Sequence, residues 1–145
     1  MKKLLLATVA ALSLGALAVQ AADWQTDLPK AQAQAKAENK TVLLNFTGSD
    51  WCGWCIRLHK EVFSQPEFSE YAKKNLVLVE VDFPTKKKLS AAQKEANDAL
   101  AKKYNIKGYP TIILLNGDGK KVGETGYVKG GPKAFIADVQ KRIKG

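Results

Sequence analysis

The sequence predicts an α/β domain built on a central mixed β-sheet with helices on both faces. Three observations carry this reading. Apolar, β-branched runs at Thr41–Thr47, Leu76–Asp82 and Thr111–Leu115 have the length and bounds of buried strands. The segments between them carry apolar residues at helical spacing. The third run ends in Asn116-Gly117-Asp118-Gly119, residues that tolerate positive φ, so the strand after it returns antiparallel. The 145 residues suffice for one domain with a sizeable core.

In chain order, Met1-Lys2-Lys3 is a short basic start, and Leu4 to Val19 is almost wholly apolar. Ala18-Val19-Gln20-Ala21-Ala22 then supplies the small residues of a cleavage site. This predicts a signal peptide over 1–22, cut after Ala21 or Ala22, and a single domain over 23–145. A retained membrane anchor fits less well: the stretch is Ala-rich, marginal in length, and not followed by basic residues.

Asp27 caps a helix with Pro29 in its first turn, and the Ala/Lys/Gln run continues it to Asn39. Leu28, Ala31 and Ala35 are its inward residues. The strand Thr41–Thr47 leads into Gly48-Ser49-Asp50-Trp51-Cys52-Gly53-Trp54-Cys55 and then a helix, with Cys52, Cys55, Ile56, His59, Val62 and Phe63 on one face. Ser64-Gln65-Pro66-Glu67 reads as a capping box that opens a new short helix burying Phe68, Tyr71 and Ala72. Pro84 ends the strand Leu76–Asp82. Ser90-Ala91-Ala92-Gln93 caps a helix lined by Ala92, Ala96, Ala99, Leu100 and Tyr104. Lys121 to Val128 is the returning strand, and Gly131-Pro132 opens a last helix with Phe135, Ile136, Val139 and Ile143 toward the core.

The chemistry centres on Cys52 and Cys55, the only cysteines in the chain. A first-turn position places Cys52 where unpaired N–H groups and the helix dipole stabilise a thiolate. A thiolate attacks disulfides, and a second cysteine one turn on lies within reach to resolve the mixed disulfide. Cys52 is thus the expected exposed nucleophile and Cys55 the buried resolver. Cysteines this close make a poor staple, because a structural disulfide gains most by closing a long loop. Their spacing suits a bond that is made and broken.

Other readings are weaker. The formal charge of +9 falls to +7 without Lys2 and Lys3, and the lysines are scattered apart from Lys86-Lys87-Lys88, so solvated surface is expected and no nucleic acid. His59, the sole histidine, shares the cysteine face, but with Cys52 and Cys55 it completes only three metal ligands. A core or boundary histidine is expected, with no metal and no cofactor. Haem attachment would need His where Ile56 stands. A dithiol carrier of soft Cu(I) remains an alternative, although the only methionine is Met1.

A strand, a Trp-Cys-x-x-Cys loop opening a helix, a later Gly108-Tyr109-Pro110-Thr111 before a strand, and a final hairpin and helix resemble the thioredoxin family from about Leu28 to Gly145. Phe46 to Cys55, with Val79-Glu80-Val81-Asp82-Phe83-Pro84, is similar to small exported members of the DsbH kind, periplasmic disulfide reductases or isomerases. The resemblance implies a thioredoxin-like fold, with Cys52 as nucleophile and Cys55 as resolving thiol. It also implies a cis bond before Pro110 and a substrate surface made by Trp51, Gly53, Trp54, Tyr109 and Pro110. Disulfide-containing exported proteins and a membrane electron donor are the implied partners, and a monomer is expected.

Two departures matter. Many thioredoxins carry a buried Asp where this chain has Asn45, and an amide is no base near neutral pH. Glu80 or a water substitutes, or deprotonation of Cys55 is slower. Asp50 is polar and two residues from Cys52, but a carboxylate there would oppose thiolate formation, so it is expected to be a solvated loop residue. Gly53-Trp54 brings no histidine to Cys52, so a moderately lowered thiol pKa and net disulfide reduction are expected, with isomerase activity as the rival.

Overall fold

In the computed structural model the described residues are 20–145, so the expectations for Met1 to Val19, including the apolar leader, lie outside them. The described chain forms β1 (Trp24–Gln25), α1 (Leu28–Glu38), β2 (Thr41–Thr47), α2 (Gly53–Leu58), a π-helical turn (His59–Phe63) and α3 (Pro66–Asn75). There follow β3 (Leu76–Asp82), α4 (Ala91–Lys103), β4 (Thr111–Leu115), β5 (Lys121–Thr125) and α5 (Gly131–Lys144). The strands make one mixed sheet in the order β1-β3-β2-β4-β5. β1, β3 and β2 are parallel to one another, β4 pairs antiparallel with β2, and β5 pairs antiparallel with β4.

Alternate side chains of each strand feed two cores. Leu43, Leu76, Leu78, Ile112 and Leu114 pack against Leu58, Val62, Phe63, Phe68, Phe135 and Val139, from α2, the π turn, α3 and α5. Val42, Leu44, Phe46, Val77, Val79, Val81, Ile113 and Leu115 pack against Ala31 and Ala35 of α1 and, more loosely, Leu100, Ala101 and Tyr104 of α4. Both faces are covered, which is why the central strands read as continuous apolar runs. The α1 and α4 starts are as expected, with the Asp27 carboxylate accepting from the Lys30 amide and the Ser90 hydroxyl from the Gln93 amide.

Several details differ from expectation. β1 was not anticipated; it is two residues long, and Trp24 packs its ring 5.0 Å from that of Phe63. The helix after the cysteines turns Cys55, Leu58 and Val62 inward and leaves Ile56 and His59 exposed, so His59 is neither core nor boundary. A uniform helix would carry Phe63 away from the core as well. The π turn, with Ser64 N–H donating to the His59 carbonyl at 2.9 Å, adds a residue to the turn and brings Phe63 back inward.

The expected capping box does not form. The Ser64 hydroxyl and the Gln65 amide both donate to the Lys60 carbonyl of the widened turn, at 3.0 and 2.9 Å, and Gln65 caps α3 without a side-chain bond. In α4, Ala92, Ala96 and Ala99 are exposed and Asn97 is the buried residue. The Asn97 amide donates to the Asp82 carbonyl at 2.9 Å, and that bond sets which edge faces the sheet. The last strand stops at Thr125, not Val128, because the chain leaves the sheet to bring the Tyr127 hydroxyl to Glu61.

Candidate functional site

Parallel pairing of β2 and β3 ends with Thr47 beside Asp82, and antiparallel pairing of β2 and β4 sets Phe46 beside Thr111. Three loops therefore leave the same end of the sheet: the cysteine loop, the segment from Phe83, and the segment ending at Pro110. The Tyr109–Pro110 peptide bond is cis. Tyr109 lies between two rings, 5.8 Å from Trp51 and 5.4 Å from Phe83, and the Trp51 indole N–H donates to the Phe83 carbonyl at 2.8 Å. A Cβ at Gly48 would run into the Trp51 indole, so glycine there makes room for the ring.

Cys52 and Cys55 form a disulfide with a Cα–Cα distance of 5.2 Å. Cys52 is the N-cap of α2, one position earlier than expected, and its sulfur accepts from the Cys55 amide at 3.3 Å. That placement folds the Cys52 sulfur back over the first turn. Cys52 is 7% exposed and Cys55 4%, so both are shielded and the expected contrast between an exposed and a buried cysteine is not seen in this disulfide form. Two rings flank the pair and stay open to solvent, Trp51 at 48% and Trp54 at 54% exposed. Gly53 between them has open space on its Cβ side.

Trp54 is not bare. Its ring lies 5.0 Å from that of Tyr127, and the Arg57 guanidinium sits 5.3 Å from Trp54 and 5.4 Å from Tyr127. Glu61 joins the group, accepting from Arg57 Nε at 2.7 Å and from the Tyr127 hydroxyl at 2.5 Å. Those bonds, Tyr127's first, hold the Glu61 carboxyl below its ordinary pKa. The guanidinium is thus committed to Glu61. Tyr127 and Arg57 were not singled out in the sequence; their link spans 66 residues from Tyr127 to Glu61, with no local signature.

Asp50 is a part-exposed loop residue, and its carboxylate has partners the sequence did not reveal: it accepts from the amides of Thr85, Lys86 and Lys87 at 2.9, 2.7 and 3.0 Å. The Thr85 amide contributes most to lowering its pKa to about 2. Asp82 was also missed. Buried at the end of β3, it accepts from the Ser49 amide and hydroxyl at 3.0 and 2.5 Å and pairs with Lys87 at 3.1 Å. Among the described residues no three His, Cys, Asp or Glu side chains gather into a group that could hold a metal.

A strand-end disulfide at a helix start, with a later cis-proline loop beside it, sits in a chain whose residues 28–140 match the model of the thioredoxin-like domain. The chain belongs to the thioredoxin-like family. It is 34% identical over 115 residues to the disulfide bond reductase DsbH of Chlamydia pneumoniae, covering 79% of this chain and 69% of that one. It is 33% identical over 121 residues to the thiol:disulfide interchange protein DsbD of Cronobacter sakazakii, covering 81% of this chain but only 19% of that protein. Among solved structures it resembles a DsbH oxidoreductase with a TM-score of 0.84 at 30% identity, over 95% of both chains. This thioredoxin-like protein is therefore a DsbH-like thiol–disulfide oxidoreductase carrying a Cys52–Cys55 redox disulfide.

Proposed function

We propose that this protein is an exported disulfide reductase. Reduced Cys52 attacks a disulfide of an exported protein, forming a mixed disulfide, and Cys55 then attacks Cys52 to release the reduced substrate and close the Cys52–Cys55 bond. The observation that carries the direction of flow is the setting of Cys52. It caps α2 with the Cys55 amide on its sulfur, while the nearest cation on that helix, Arg57, is held by Glu61 and the only histidine is exposed beyond Cys55. A strong oxidant needs a markedly stabilised reduced form, and backbone N–H groups alone give modest stabilisation. The reductase named among its relatives supports the same reading.

Trp51, Gly53, Trp54, Tyr109 and Pro110 form the substrate surface, with the two open indoles gripping chain on either side of the disulfide. The leader, if cleaved near Ala21 or Ala22, delivers the domain to an oxidising compartment, the periplasm. There the dithiol must be recharged by a membrane electron donor.

The test is equilibration against a glutathione series, followed by insulin reduction and refolding of a scrambled disulfide substrate. A potential of about −230 to −270 mV with insulin reduction is expected. A value near −120 mV, with rapid oxidation of reduced substrate, would overturn it.

A further inference from the structure

Lysines that lie far apart in the sequence meet at one end of the fold. Thr47 pairs with Asp82 and Phe46 with Thr111, so the loop after β3 and the loop before β4 both flank the disulfide. Lys86 and Lys88 stand on the first of these, which the Lys86 amide ties to Asp50, two residues from Cys52. Lys107 stands on the second, two residues before Tyr109, whose ring packs on Trp51. Lys129 stands on a third, between Gly126 and Gly131. The Cβ positions of those glycines lie 3.2 Å from the Pro110 carbonyl oxygen and 3.9 Å from that of Glu61. All four lysines are exposed, and among the described residues none forms an ion pair.

The carboxylates beside these loops are already engaged. Asp50 takes three backbone amides, Asp82 is buried against Ser49 and Lys87, and Glu61 is shared by Arg57 and Tyr127. Asp98, which shares a cleft with Phe83 and Lys88, is paired with Lys94 at 2.6 Å. Glu80 lies two residues deeper in β3 and is half-buried. At the opposite end of the sheet, where Val42 pairs with Leu115, exposed acids do meet cations: Asp118 meets Lys36 at 3.4 Å and Glu38 meets Lys40. The redox end therefore holds four cations with no carboxylate left to offset them.

Between these cations the surface is apolar, because Trp51 and Trp54 lie open beside the disulfide. An apolar centre with a charged rim is the anatomy of a protein-docking surface, and rim charges act mainly on the rate and selectivity of encounter. We propose that this face docks disulfide-bearing polypeptides with Asp or Glu flanking their cysteines, and that Lys86, Lys88, Lys107 and Lys129 steer their approach. The inference rests on the reductase reading above and names the class of substrate that reading favours. Long-range attraction gathers acidic chains before contact, and the indoles and the Cys52 sulfur act once they arrive. Lysine suits this part: its hydrated charge on a flexible stem attracts without imposing one geometry.

The experiment uses reduced protein and three synthetic peptides, each with one intramolecular disulfide flanked by Glu, Ser or Lys pairs. Each turnover opens the peptide disulfide and closes Cys52–Cys55, so two electrons and two protons pass from the dithiol to the peptide. Second-order rates are read by acid quench and mass. Each is divided by the rate of the same peptide with dithiothreitol, an uncharged dithiol, to remove differences in intrinsic reactivity. At about 10 mM salt the screening length is about 30 Å, and the Glu peptide should react roughly tenfold faster than the Lys peptide, the low end of electrostatic steering. At about 1 M salt, with screening over about 3 Å, the three should agree within about twofold. Lys86→Glu, Lys88→Glu, Lys107→Glu and Lys129→Glu together should reverse the order at low salt, a change that partial loss of the fold does not produce. Equal normalised rates at low salt, an order that salt leaves unaltered, or an unreversed order in the variant would overturn the proposal. Equal rates together with binding to phosphatidylglycerol vesicles would also overturn it, by assigning the charge to a lipid surface. Failure to reduce any of the three peptides would instead sink the reductase reading itself.

Discussion

Asp50 and Lys86, 36 residues apart, are joined by a 2.7 Å hydrogen bond from the Lys86 amide to the Asp50 carboxylate. With the Thr85 and Lys87 amides, this makes Asp50 the clasp of the lysine-bearing loop. Its pKa falls from 3.8 to about 2 in the folded chain. A depressed carboxyl contributes stability that is fully present above its unfolded pKa and is lost as pH falls through the folded value. Hydrogen-exchange protection of the Thr85, Lys86 and Lys87 amides should therefore hold from neutrality to about pH 4 and fade toward pH 2. Asp50→Ala should lose it at every pH. Equal protection in the variant would show that the clasp is not what orders the loop.

Gly48→Ala should displace the Trp51 ring, since the added methyl meets the indole. The indole bond to the Phe83 carbonyl goes with it. The expected loss is about 1–3 kcal/mol, as for overpacking at a tight site, together with a shift in tryptophan emission. Unchanged emission and an unchanged denaturation midpoint would refute the close fit.

Asn97→Ala leaves the Asp82 carbonyl without its buried donor. A loss of roughly 1–3 kcal/mol is expected in chemical denaturation with little change in slope. A cost below about half a kcal/mol would mean that water replaces the amide at no penalty.

Gly53→Ala adds a methyl into open space at the first position of α2. It should raise stability by about 0.4–1 kcal/mol, through the entropy of the unfolded chain. A lower melting temperature would contradict this.

If Cys52 is the attacking sulfur, Cys55→Ser should accumulate mixed disulfides with exported proteins and Cys52→Ser should not. Reduced protein treated with an alkylating agent at mildly acidic pH should be labelled at Cys52 first. Prior labelling of Cys55 would reverse the roles.

The three central strands were legible to the residue because burial on both faces leaves no polar alternation to blur their ends. Asp27 and Ser90 were legible as caps because their side chains bond to amides three residues on. The errors share another cause: partners distant in sequence. Asn97 faces inward for a carbonyl 15 residues back, and Asp50 is clasped by amides 35 to 37 residues ahead. Tyr127 leaves the sheet for Glu61. The cysteine pair was local and therefore visible; the groups that surround it were assembled by the sheet and were not.

The π turn separates the redox helix into two parts that need not rotate together. Phe63 belongs to an aromatic cluster, 4.9 Å from Phe68 and 5.5 Å from Phe135, and any rearrangement there acts as a torque on the helix. In a uniformly wound rod that torque would reach Cys55 as a change in sulfur orientation. Here the π-wound turn from His59 to Phe63 interrupts the regular α-helical ladder between the two. Changes in the aromatic cluster can therefore alter stability while leaving the alignment of the two sulfurs in place.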